Sequence, residues 1–164
     1  MEIKQLTKEF QNQLNTLVKT TIQNMTNPDW LIALSDEEID NIFDNKNAVI
    51  YGMVEEKKLL AMSGLFFDES DFLEIIKLLK IENCKVAEIA ECMTFPKYRG
   101  NNYMLKINLS LLQKARKLGF EYVIATAHPD NIASNKSLQK LGLKCYGQIF
   151  RYGKFLRNYY MLKL

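Results

Sequence analysis

The spacing of apolar positions changes period several times along the 164 residues, and each change marks an element. EIKQL predicts a short strand. Phe10, Leu14, Leu17 and Ile22 then recur near helical spacing, predicting helix to about residue 25. NPDW at 27–30 reads as a turn. LSDEEIDNIFDN reads as a short helix, with Ser35 as N-cap and Glu38 completing a capping box. AVIYGMVEE and KKLLAMSGLFFD flank a charged turn at 55–58 and predict a hairpin. ESDFLEIIKLLK puts Phe72, Ile75, Ile76 and Leu79 on one helical face, with Ser70 as its cap. KVAEIAECMTF is a strand that carries two carboxylates. After a glycine turn, a stripe of Met104, Ile107, Leu111, Ala115 and Leu118 predicts a helix stopped by Gly119. FEYVIATA is nearly continuous in apolar residues, as in a central strand. HPDN is a turn, IASNKSLQKLG a short helix, and KCYGQIFRY with FLRNYYMLKL a terminal hairpin.

That order is strand, helices, hairpin, helix, strand, helix, strand, helix, hairpin. It predicts one α/β domain over 1–164, with helices covering a mixed, largely antiparallel sheet. No repeat, linker or low-complexity tract interrupts it. The net charge of +3 is spread along the chain, which argues against a nucleic-acid surface. No run approaches membrane-spanning length and no apolar leader opens the chain, so a cytoplasmic location without membrane contact is expected. Three cysteines without CxxC spacing and a single histidine make an all-protein metal site hard to assemble. Cys84, Cys92 and Cys145 are expected as free, mostly buried thiols.

The stretch YRGNNYM, between the carboxylate-bearing strand and the next helix, admits two readings. As plain structure it is a turn in which Gly100 supplies a positive φ and Asn101 or Asn102 caps the helix. As a site it leaves the first amides of the helix unpaired, with the positive end of the helix dipole behind them and Lys97 and Arg99 alongside. That is a cradle for a phosphate or diphosphate. It lacks the GK[ST] of a P-loop and the further glycines of a dinucleotide fingerprint.

Residues 86–143 resemble the GNAT superfamily of N-acetyltransferases. The pattern there is V-x-P, Q/R-x-x-G-x-G/A, a helix, an apolar strand, and N-x-x-A-x-x-x-Y-x-K-x-G-F. This chain reads T-F-P-K-Y-R-G-N-N and later N-I-A-S-N-K-S-L-Q-K-L-G-L, matching at Pro96, Arg99, Gly100, Asn131, Lys140 and Gly142. Lys97 replaces a Gln or Arg, Asn102 replaces the second small residue of the loop, and Leu138 stands where many relatives have a proton-donating tyrosine.

The resemblance implies a sheet splayed between the 86–94 and 121–127 strands. It also implies direct transfer of an acetyl group from acetyl-CoA, as co-substrate and without a metal, to a primary amine of a small molecule or peptide. Residues 1–85 would form the acceptor side, 86–143 the acetyl-CoA core and 144–164 the terminal hairpin. The cofactor would be held by Lys97, Arg99, Gly100, Asn101, Asn102, Tyr103 and Met104 at its diphosphate. Asn131 and Ser134 would meet the pantetheine arm, and the backbone of Cys92, Met93 and Thr94 the thioester. The attacking amine must first lose a proton. Glu88 and Glu91 are the candidate bases, and strand alternation points them to opposite faces. Glu88 matches a glutamate used by several relatives and is favoured. His128 is a further candidate by its ordinary pKa. Tyr146, Tyr152 and Tyr160 are candidate acids, and Asp29, Trp30, Tyr51 and Phe67 candidate acceptor-pocket residues. A homodimer fits this reading. The alternative is a non-catalytic acyl-CoA-binding or regulatory module of the same fold.

Overall fold

The computed structural model describes residues 1–164. Seven strands form one sheet in the order β1-β2-β3-β4-β5-β7-β6. In chain order they are β1 (Glu2–Gln5), β2 (Ala48–Glu55), β3 (Lys58–Phe66), β4 (Val86–Thr94), β5 (Tyr122–Ala127), β6 (Lys144–Arg151) and β7 (Phe155–Lys163). Every neighbouring pair is antiparallel except β4 and β5. That parallel pair requires a crossover, supplied by α4 (Tyr103–Lys117). The other helices are α1 (Gln11–Gln23), α2 (Asp36–Asp40), α3 (Leu73–Leu79) and α5 (Ile132–Lys140).

Alternation along the strands feeds two helical layers. Ala87, Ile89, Val123 and Ala125 pack with Ile107, Leu111, Leu112 and Ala115 of α4, and Leu138 of α5 joins them. On the opposite face, Val86 and Ile124 meet Phe72, Ile75 and Ile76 around α3. Beside them, Ile50, Met62 and Met93 meet Leu14, Leu17 and Val18 of α1 and Ile39 of α2.

Local signals hold at most element ends. Ser35 accepts from the Glu38 amide while Glu38 reaches back to the Ser35 amide, closing the expected capping box. Gly119 and Gly142 follow their helices with φ of +80° and +91°. Three expectations fail. Asp68, not Ser70, caps the turn before α3, because its carboxylate reaches both the amide and the hydroxyl of Ser70. Ile22 and Leu118, at the C-terminal ends of α1 and α4, are exposed, and Val18 and Leu112 are buried instead. The cysteines are free, but Cys92 and Cys145 are exposed and Cys84 half-buried.

Candidate active site

The site begins with a defect in β4. Met62 pairs with Met93 while Gly64 pairs with Ala90, so Ser63 faces two residues, Glu91 and Cys92. Glu91 absorbs the extra residue with φ of +54°, an uncommon backbone for a side chain of its size. β4 pairs with β5 only from Val86 to Ile89. Beyond the bulge the two strands part, and a gap opens in the middle of the sheet.

The bulge also resets the alternation. Ala87 and Ile89 face α4, and Cys92 does so again, its Sγ 3.7 Å from Asn108 Nδ2 on that helix. Met93 turns to the α1 core. Glu91 is therefore not opposed to Glu88 as strict alternation requires; the charges of Glu88 and of Glu38 on α2 both act on it.

The two carboxylates have different surroundings. Glu88 is 5 % exposed and its Oε1 accepts from Arg151 Nη1 at 2.5 Å. Arg151 also donates to the Asp71 carbonyl at 2.8 Å. Burial pushes the Glu88 carboxyl up and the guanidinium opposes it, while the same pairing holds Arg151 above its ordinary range. The contact is that of an ion pair, so Glu88, the favoured base, has its carboxylate committed to Arg151. Glu91 has no such partner. Its Oε2 is buried without a hydrogen bond. Burial, then the charges of Glu88 and Glu38, push its carboxyl up to about 8.

A cavity of about 530 Å³ opens beside this bulge. One wall is Cys92, Met93 and Thr94 of β4; another is Arg99 with Met104 and Asn108 of α4. Asn131 with Ser134, Ser137 and Leu138 of α5 form a third. The last comes from the end of α1 and the turn after it, with Thr21, Met25, Trp30 and Leu31. Since α4 and α5 cover one face of the sheet and α1 the other, the cavity passes through the splay. Of the four residues expected in an acceptor pocket, Trp30 lines this cavity and Asp29 does not. Tyr51 and Phe67 lie elsewhere, packed against the α4 core.

At one end of the cavity, α4 starts without a cap. Asn102 takes φ of +57° and makes no side-chain bond to the helix, while Asn101 turns away to the carbonyls of Tyr98 and Arg99. Lys106 is the first residue to donate back, to Asn102, so the amides of Tyr103, Met104 and Leu105 have no helical acceptor. Gly100, with φ of +82°, has no atom within 4 Å of the place a Cβ would occupy. The loop is open on that side. Such an N-terminus suits an anion of the size of a diphosphate, and the cavity suits the arm attached to it.

The comparisons agree with this geometry. The sequence profile of the acetyltransferase (GNAT) domain matches residues 14–144. The chain belongs to the GNAT acetyltransferase family. No curated protein matches it in sequence. Solved structures share the fold over nearly the whole chain. A ribosomal-protein-alanine N-acetyltransferase from Brucella melitensis superposes with a TM-score of 0.78 at 16 % identity, covering 100 % of both chains. An N-acetyltransferase from Staphylococcus aureus Mu50 gives 0.76 at 18 %, covering 99 % of this chain and 97 % of its own. The microcin C7 self-immunity acetyltransferase, solved with acetyl-CoA and AMP, gives 0.68 at 16 %, covering 99 % and 93 %.

Several residues of this GNAT protein have other occupations than the sequence suggested. His128 does not line the cavity; its Nδ1 accepts from the Asp130 amide, which shapes the turn. Tyr160 is 1 % exposed and donates to Asn135 Oδ1, whereas Tyr146 and Tyr152 are exposed and away from the cavity. Cys92 opens into the cavity, but the protein packed around it pushes its thiol up, so it stays protonated and a poor nucleophile. Lys97, Gly100, Asn101, Asn102 and Tyr103 do not line the cavity, although their neighbours Arg99 and Met104 do.

Two residues were missed. Asn108 is 1 % exposed on the apolar stripe of α4, lines the cavity, and leaves Oδ1 without a partner. A polar residue one turn after Met104 on that stripe was the available signal. Asn135 donates to the carbonyls of His128 and Asn131 and accepts from Asn158 and Tyr160. It ties the start of α5, and with it Asn131 and Ser134, to β5 and β7.

Proposed function

We propose that the protein transfers an acetyl group from acetyl-CoA to a primary amine of a small molecule or peptide. The observation that carries this reading is the bulge at Glu91: a half-buried carboxylate with one buried, unpartnered oxygen, next to Cys92 of the cavity wall, where the sheet parts.

The uncapped amides of Tyr103, Met104 and Leu105, with Arg99, would hold the diphosphate of the cofactor. Asn131, Ser134 and Asn108 would meet its arm, and the β4 backbone from Cys92 to Thr94, unpaired toward β5, would face the thioester. When bound, acetyl-CoA supplies an acetyl group activated as a thioester. Glu91 takes the proton of the incoming ammonium, directly or through one water. A carboxylate titrating near 8 is far better matched to an alkylamine near 10 than an ordinary one near 4.5. Leu138 lines the cavity in place of a tyrosine, so departure of the thiolate relies on no phenol from α5.

Thiol release from acetyl-CoA with a panel of primary amines tests this. The expected result is saturable, amine-dependent release. Tight CoA binding with no release across the panel would instead favour the non-catalytic acyl-CoA-binding module.

A further inference from the structure

Arg151 and Arg157 of the terminal hairpin are both buried, and only the first has an anionic partner. Arg151 is held by Glu88. Arg157 of β7 is 2 % exposed, its Nη1 donates to the carbonyl of the adjacent Leu156, and its Nη2 meets no acceptor. No carboxylate lies within ion-pair distance of it. A guanidinium out of water without a counter-charge is costly to a fold.

Its position ties it to the gap in the sheet. Arg157 stands opposite Ile149 of β6, one residue past the last pairing of β7 with β5. It therefore shares the face of Ile149, which packs into the α3 core, at the end where the sheet is parted. On that face the turn Pro28–Trp30 carries Trp30 into the cavity wall. Asp29, in the same turn, is exposed and its carboxylate is free; its backbone amide is fixed by Asn27 Oδ1 at 2.9 Å. The two charges lie within electrostatic range and outside bonding range. Burial and the charge of Arg151 pull the Arg157 guanidinium below its ordinary range, and the Asp29 carboxylate opposes them. Trp30 Nε1 is also buried without an acceptor. Turn and strand thus each hold an unmet donor, as in a contact that is not fully made.

Resting on the acetyl-CoA reading above, we propose that the 27–30 turn is a latch: filling the cavity draws the turn onto the sheet, where Asp29 closes an ion pair with Arg157. The coupling runs through Trp30 and Leu31. They wall the same cavity as Arg99, Met104 and Asn131, so a cofactor arm that packs against them favours one position of the turn over another. In the closed position the Asp29 carboxylate accepts from Nη2, a charge-assisted bond shielded from water. A pair formed only in that state raises the affinity for whatever selects it.

Trp30 is the single tryptophan of the chain and adjoins Asp29, so its fluorescence reports the turn. The full-length protein is titrated with acetyl-CoA by calorimetry and by fluorescence in parallel. The expected result is binding heat and a saturable fluorescence change with the same midpoint. Asp29→Asn, Arg157→Met and the double variant complete a cycle. Asp29→Asn should weaken acetyl-CoA binding about fivefold or more in the wild-type background, and less than about twofold beside Arg157→Met. The urea midpoint of the ligand-free chain should be unchanged by Asp29→Asn, since the pair is open there. These two measurements on Asp29→Asn alone decide the matter should Arg157→Met not fold. Heat without a fluorescence change, full affinity in Asp29→Asn, or an equal loss in both backgrounds would overturn the latch and leave acetyl-CoA binding standing. Absence of heat would overturn the acetyl-transfer reading and the latch with it.

Discussion

Glu91 and Glu88 are three residues apart on one strand, yet their environments push them into different roles. Glu88 is neutralised by Arg151 and serves the sheet, joining β4 to β6 and, through the Asp71 carbonyl, to the turn before α3. Glu91 is half-buried with one oxygen that has no partner, which costs stability, and burial with the nearby charges pushes its carboxyl up to about 8. The sign of that cost is set by linkage. Between its ordinary value near 4.5 and about 8, the folded chain keeps a proton that the unfolded chain releases. Stability therefore falls as pH rises through that window and levels above it. Glu91→Gln removes the group, so denaturant titrations should find the variant more stable than wild type at pH 8.5, by a few kcal/mol. At pH 4 the two should be alike. A variant no more stable at pH 8.5 would mean that Glu91 is solvated or paired. The bulge that makes this residue special was invisible along the chain, because it is a mismatch of register with β3. Alternation within β4 alone pointed the two glutamates apart, and the family match favoured Glu88, whose carboxylate is paired with Arg151.

At the scale of elements, local patterns were legible where local physics decides. The capping box at Ser35, the charged hairpin turn before Lys58, and the glycines after α4 and α5 all sit where the sequence put them. The open start of α4 was legible too, although the reason differs from a simple cap: Asn102 supplies the left-handed residue and leaves the amides bare. What lay beyond reach were side chains whose partners come from distant strands. Asn135 looked like an ordinary helix residue, but its bonds reach His128 in one direction and Asn158 and Tyr160 in the other. Asn135→Ala should cost about 2–3 kcal/mol in denaturant titrations, because several buried partners are left unpaired. It should also weaken CoA binding in calorimetry, since α5 carries Asn131 and Ser134. An effect below about 0.5 kcal/mol would show that α5 is held by its apolar contacts alone.

For the molecule as a whole, the decisive feature is a sheet that is continuous at one end and parted at the other. The α4 and α5 layer offers backbone amides and small polar side chains on one side of the gap. The α1 layer offers Thr21, and the turn after it Trp30, on the other. No helix is long and apolar enough to cross a membrane. The family and the fold were readable from residues 86–143; the α1 wall of the cavity was not, because no spacing within the first helix and turn encodes which side chains face the gap. Two substrates meeting from opposite faces need a proton acceptor at the junction, and the account assigns that task to Glu91. The most direct test is the pH dependence of kcat/KM for acetyl-CoA and a primary amine that titrates near 10, in wild type and Glu91→Gln. The account predicts a wild-type rate that climbs through a limb near pH 8. In the variant that limb is absent and the rate is lower by about a hundredfold or more. A variant that keeps the wild-type rate and the same limb would contradict it.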